Sequence, residues 1–290
     1  MKSSFQAFAG TVVHFSRGWD NVAFCVNDEW VFRFPRRQLG ADCMASEIKV
    51  LPQIAAVMSL PIPNPEFIGE PARGYRWPFA GYRRLPGKTA CAASLTDEQR
   101  SAMAKPLATF LRTLHSVPFE ELVRAEAPPD MYGRLDLAKR IPQTRQRLEQ
   151  IRENGLLQGT ERLDRIIAET EVRFGDTKFE SGPDSVLLHG DLYVRHLLVD
   201  DVGQLCGVID WGDVHYGVPA NDLMIAHSFL PPGSHEAFRE AYGPIDDDTW
   251  QLARFRALNH TTAVLPYAAS VSDETLLREA RNTMCYLSAN

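Results

Sequence analysis

Val186 to Asp222 reads V-L-L-H-G-D-L-Y-V-R-H-L-L-V-D-D-V-G-Q-L-C-G-V-I-D-W-G-D-V-H-Y-G-V-P-A-N-D. It sets His189, Asp191, His196, Asp210, Asp213 and Asp222 among short apolar runs with the length and composition of strands. Val186 to Leu188 enters a turn at Gly190, while Leu197 to Val199 and Leu205 to Ile209 read as two strands joined through Asp200, Asp201 and Gly203, which carry turn chemistry. A loop bearing Asp191, a hairpin and a second loop bearing Asp210 follow from this reading. Two carboxylates nineteen residues apart would then meet at neighbouring strand ends, where their mutual repulsion favours a cation between them.

These motifs resemble the kinase-like small-molecule phosphotransferases that modify aminoglycoside and macrolide antibiotics. Protein kinases carry H-R-D-x-x-x-x-N and D-F-G; this chain has H-G-D-L-Y-V-R-H at 189–196 and D-W-G at 210–212. The resemblance implies that Asp191 accepts or orients the proton of a substrate hydroxyl, and that His196 and Asp210 hold Mg2+ on the phosphates of ATP or GTP. It also makes Arg195 a candidate for offsetting charge on the transferred phosphoryl group. Histidine at the asparagine position departs from the kinase pattern and reads as a subfamily mark. His189 is expected to brace the loop, and Asp222 to open or brace the following helix. Two rivals are a transition-metal hydrolase using His189, Asp191, His196, Asp210 and His215, and a nucleotide-binding pseudoenzyme.

The 290 residues suffice for one large or two ordinary domains, with 44% hydrophobic and 23% charged residues, the balance of a globular enzyme. A net charge of -6 and a pI near 5.8 argue against nucleic acid as a partner. The five cysteines are scattered without C-x-x-C spacing, which fits a reducing cytoplasm better than disulfides or zinc. Nothing approaches the ~18 apolar residues of a membrane span, so a soluble, cytoplasmic protein without membrane partners is expected.

Thr11 to Phe15, Val22 to Val26 and Trp30 to Phe34 read as successive antiparallel strands. The resemblance makes the first break, S-R-G-W-D-N, a reduced counterpart of the kinase glycine-rich loop, with Ser16 and Gly18 on the phosphates. Arg33 interrupts an apolar strand and Glu47 an apolar helical stripe within 40–58, so each wants the other as partner, and Pro52 should break or kink that helix. By the resemblance, Arg33 takes the place of the kinase strand lysine. After the irregular, proline-rich Pro61 to Pro78, the family's hinge falls at 81–84, and Gly81, Tyr82 and Arg83 should line the base pocket.

The expected fold is α+β and protein-kinase-like. Residues 1–80 would form a small antiparallel-sheet nucleotide lobe with one main helix, and 85–290 a larger, mainly helical catalytic and substrate-binding lobe. Helices are predicted over Leu95 to His115, Arg134 to Ile151, Glu161 to Phe174, Ser234 to Tyr242, Asp247 to Val264 and Asp273 to Leu287. The acidic run Asp246, Asp247, Asp248 reads foremost as a helix start, and Asp213 and His215 as substrate contacts. The acceptor implied by the resemblance is the hydroxyl of a small molecule, an aminoglycoside or macrolide antibiotic ahead of an amino alcohol or sugar.

Overall fold

Asn27 and Asp28 both adopt left-handed backbone (φ 56° and 57°), the conformation a tight hairpin requires and that short polar side chains tolerate. Their turn joins strand β2 (Asn21–Val26) to β3 (Trp30–Pro35). Strand β1 (Val12–Arg17) adds to one side and β5 (Phe79–Arg83) to the other, with β4 (Phe67–Gly69) at the far edge. The sheet order is β1-β2-β3-β5-β4 and every pairing is antiparallel. Strand β4 lies in the stretch read as irregular; three residues are too few to establish an alternation. The computed structural model describes residues 10–289 other than 73, 119, 121–125, 180, 181 and 183.

Helix α1 (Gln38–Ile54) lies against this sheet and buries Met44, Glu47, Leu51 and Ile54, an i, i+3, i+4 stripe. Pro52 does not break it. The proline falls in the last turn and withholds only the N–H that would serve the carbonyl of residue 48, and the helix stops two residues later rather than at 58.

The second lobe is helical around one continuous apolar core that includes Leu107, Phe110, Leu111 and Leu114. Its elements are α2 (Asp97–Ala102), α3 (Ala104–His115), α4 (Leu137–Glu153), α5 (Glu161–Phe174), α6 (Ala220–Phe229), α7 (His235–Tyr242), α8 (Asp247–Ser270) and α9 (Glu274–Ala289). The helix expected over Leu95 to His115 is two helices that meet at Met103, the first started by a reciprocal cap between Thr96 and Gln99. Asp246 caps α8 by accepting from Thr249 N at 2.8 Å. Asp247 and Asp248 pair with Arg239 and Arg173 and line neither of the cavities described below, so the acidic run starts a helix and does not face the cleft.

Two small sheets carry the central motifs. Strands β8 (Leu197–Val199) and β9 (Leu205–Val208) form the expected hairpin, flanked by β6 (Lys88–Thr89). Strand β7 (Val186–Leu188) pairs instead with β10 (His215–Gly217), which the sequence reading missed because V-H-Y-G-V-P mixes polar and breaking residues. All five cysteines are free. Among the described residues no helix is long and apolar enough to cross a membrane.

Candidate active site

The loop after β7 is held by the first turn of α6. Asp222, fully buried, accepts from the backbone N of His189 at 2.7 Å and of Gly190 at 3.0 Å, and Asn221 Nδ2 donates to Gly190 O at 3.0 Å. Gly190 has φ +88°, and a Cβ there would lie 2.1 Å from Asp213 O, so the crossing of these two segments demands glycine. His189 Nε2 donates to Ile209 O at 2.9 Å, while its Nδ1 accepts from Asp191 N at 3.3 Å. One ring thereby ties the loop of Asp191 to the strand end that presents Asp210, and Trp211 packs its indole on that ring, centroids 4.8 Å apart.

Asp210 sits at φ +64°, a strained backbone for a non-glycine residue that persists only where its surroundings over-determine it. Its Oδ1 accepts from Arg33 Nη2 at 2.7 Å and its Oδ2 lies 3.4 Å from His196 Nε2. His196 Nδ1 donates to Asp191 O at 2.7 Å, because a carbonyl can only accept, which leaves Nε2 facing Asp210. Burial alone would raise the Asp210 carboxyl; Arg33 and then His196 outweigh it and hold it below the usual carboxylate range. Asp191 follows the same pattern, with burial opposed by His196, His260, His189 and Arg134 and a net depression.

Arg33 Nη1 donates to both Glu47 oxygens at 2.9 Å, so one guanidinium spans from α1 to the Asp210 loop. Burial pushes Glu47 up to about 7 against the pull of Arg33, while the two carboxylates keep Arg33 charged despite its own burial.

Two cavities meet at Asp191. The larger, about 700 Å³, lies between the sheet and the second lobe and is lined by Ser16, Gly18, Arg33, Tyr82, Arg195, His196 and Asp210 among others. The smaller, about 390 Å³, is lined by Arg134, Arg140, Arg147, Arg256 and His260, and Asp191, Asp213, Asp20 and Tyr132 line both. Arg195 is tied to Asp273 at the start of α9. Asp213 pairs with Arg134, which also holds Asp130 at 3.0 Å.

Four of the candidate site residues line neither cavity: Glu47, buried behind Arg33, and Gly81, Arg83 and His215. Gly81 and Arg83 belong to β5, paired on both sides at Gly81, whose carbonyl accepts from Glu66 N at 2.9 Å. Strand alternation sends Tyr82 into the large cavity and Arg83 outward, onto Glu29 and the Trp30 ring. The segment that does line the large cavity comes next, at Arg84, Leu85, Gly87, Lys88 and Thr89. His215 is buried in β10, 3% exposed, with its Nδ1 donating to Asp213 O at 2.7 Å and its ring occupying the space beneath Gly190; it lines neither cavity. Arg134, Arg256 and His260 were not foreseen. Arg256 and His260 share one face of α8 at i, i+4, but nothing local marks that face as meeting Asp191, some 65 residues earlier.

Residues 11–258 match the phosphotransferase enzyme family APH. The chain belongs to that family. Its APH sequence is 30% identical to viomycin phosphotransferase of Streptomyces vinaceus over 198 residues, 66% of this chain and 64% of that protein's length. Among solved structures, the GDP complex of wild-type aminoglycoside 2'-phosphotransferase-IIIa superposes with a TM-score of 0.69 at 25% identity, covering 99% of this chain and 95% of the other. Macrolide 2'-phosphotransferase type I shares the fold at a TM-score of 0.61 and 22% identity, over 96% and 91% of the two chains. The kinase-like α+β architecture expected from the sequence is thus the APH fold, and the APH chain carries its H-G-D and D-W-G motifs on the two loops that flank the β8–β9 hairpin.

Proposed function

We propose that this protein transfers the γ-phosphoryl group of ATP or GTP to a hydroxyl of a small molecule, with hydroxylated antibiotics, the class named for its relatives, as the leading acceptors. The observation that carries the reading is the position of Asp191 at the junction of two cavities, one of about 700 Å³ to take the nucleotide and one of about 390 Å³ beside it to take the acceptor. The acceptor oxygen forms the new bond to phosphorus, the bond from the γ-phosphorus to the β–γ bridging oxygen breaks, the hydroxyl proton passes to Asp191, and the nucleoside diphosphate leaves. Held depressed by its neighbours, Asp191 is a weak base, so its role is chiefly to orient the hydroxyl and take the proton late. Catalysis then rests on positioning and charge neutralisation.

The residues present fit magnesium. His196 Nε2 and Asp210 Oδ2 face each other across 3.4 Å, a nitrogen and a carboxylate oxygen that a cation between them would bridge. Among the described residues no cluster of three or more His, Cys, Asp or Glu side chains could hold a metal alone, which suits an ion that keeps water and phosphate oxygens as its remaining ligands. Bound there, the ion would neutralise charge on the β- and γ-phosphates. Arg33 would meet the phosphates from the sheet side, Ser16 from the end of β1, Gly18 from the turn that follows it, and Arg195 from the loop before β8.

Asp191→Ala tests the reading. Phosphate transfer, scored from both nucleotides over a panel of antibiotics and small alcohols, should fall by about 10³-fold or more, with magnesium-nucleotide affinity retained. Near-normal turnover by the variant would remove Asp191 from the reaction.

A further inference from the structure

The smaller cavity is unusually cationic for a pocket meant to receive a polyamine. Of its three carboxylates, Asp20 is paired with Arg37 and Asp213 with Arg134, which leaves Asp191 alone. Against it stand Arg140, Arg147 and Arg256, none with a carboxylate partner among the described residues. Arg140 is held by backbone oxygens, Nε to Gly133 O at 2.9 Å and Nη2 to Tyr132 O, and by Gln143. Arg147 stands two turns further along the same face of α4 and makes no hydrogen bond or ion pair among the described residues.

Arg256 is the decisive group. It is 6% exposed, its Nε donates to Asn221 Oδ1 at 2.8 Å, and neither terminal nitrogen has a hydrogen-bond partner among the described residues. The Asn221 contact braces the Gly190 carbonyl and explains Nε alone. A buried guanidinium with no carboxylate in hydrogen-bonding contact is costly: burial and then Arg134 pull it down to about 10, against a weaker opposing pull from Asp191. His260, one turn on, adds no positive charge at neutral pH, since burial and Arg256 lower it to about 4.

We propose that this pocket recognises an oxyanion, a carboxylate or a phosphate, carried by the acceptor alcohol, with Arg256 and Arg147 binding the anion while Asp191 meets the hydroxyl. The proposal rests on the phosphotransfer reading and departs from its order of acceptors, putting hydroxy acids or phosphorylated alcohols ahead of cationic antibiotics. A planar fork of donors matches either oxyanion bidentately. A polycationic acceptor would instead face four guanidiniums against three carboxylates, two of which are already paired.

The test uses the full chain with magnesium and ATP or GTP. Gluconate against glucitol separates carboxylate from neutral alcohol, glucose 6-phosphate against glucose separates phosphate, and kanamycin is the polycation; binding is read by calorimetry and transfer by product phosphate. The acid member of at least one pair should bind about 10-fold tighter than its neutral partner, a difference of ~1.4 kcal/mol. Arg147→Gln, on a half-exposed helix face, should abolish that preference, and Arg256→Lys should weaken it less than Arg256→Gln. Nucleotide affinity, measured on each variant, reports folding. Neutral members or kanamycin binding as tightly as the acids, or an acid preference unchanged in Arg147→Gln, would overturn the proposal. Acid binding without phosphate transfer upholds the pocket and counts against phosphotransfer. Transfer to kanamycin at a higher kcat/KM than to either acid overturns the pocket and leaves phosphotransfer standing.

Discussion

Arg33 Nη2 donates to Asp210 Oδ1 at 2.7 Å, across 177 residues of sequence, while Nη1 of the same side chain holds Glu47. One guanidinium thus couples the sheet, helix α1 and the loop that follows β9, and it fixes which Asp210 oxygen stays free to face His196.

That coupling makes the two buried partners interdependent. Arg33→Met and Glu47→Gln should each weaken nucleotide use, and the double variant should lose less than the sum, with a coupling of about 0.5–3 kcal/mol in a double-mutant cycle. Strict additivity in nucleotide affinity would show that the contact carries no energy.

Asp210→Asn keeps shape but removes the charge that Arg33 and the proposed cation share. The dependence of nucleotide affinity on magnesium, titrated at fixed nucleotide, should flatten, and kcat should drop by about 10²-fold or more. An unchanged magnesium titration would take Asp210 out of the metal site.

Gly190→Ala places a Cβ 2.1 Å from Asp213 O at a backbone with φ +88°. The loop must shift, so stability should fall by roughly 1–3 kcal/mol and transfer by more than the stability loss explains. A thermal midpoint and kcat within error of wild type would contradict the crossing described here.

Asp222→Ala removes the acceptor for the backbone N–H groups of His189 and Gly190 inside a fully buried site. Two stranded donors should cost on the order of 2–5 kcal/mol in urea unfolding, which Asp222→Asn, keeping one acceptor oxygen, should reduce. Equal losses in both variants would mean the carboxylate acts through charge and not through these two bonds.

His260 is lowered from 6.5 to about 4 by burial and by Arg256. The unfolded chain therefore takes up this proton before the folded one, so the stability it confers is complete above pH ~6.5 and is lost as pH falls toward 4, on the order of 1 kcal/mol of it by pH 5.5. His260→Gln should remove that share of the acid destabilisation; identical pH profiles for variant and wild type between 7.5 and 5.5 would place the titration elsewhere.

The sequence by itself determined the elements whose cause is local. The β-branched and aromatic runs of Val22 to Val26 and Trp30 to Phe34, the turn chemistry at Asn27 and Asp200, the apolar stripe of α1 and the charges misplaced in that stripe and in β3 were all legible, because each is dictated by close sequence neighbours. The H-G-D and D-W-G motifs were legible through their resemblance to the kinase pattern, because each is written in a few consecutive residues. Only the tertiary structure decided that Gly81 is locked between two strands, that His215 is buried beneath Gly190, and that α8 delivers Arg256 and His260 to the side of Asp191. Those placements depend on which surfaces the folded core brings together, and a guanidinium on a helix reads identically whether it faces water or a catalytic carboxylate.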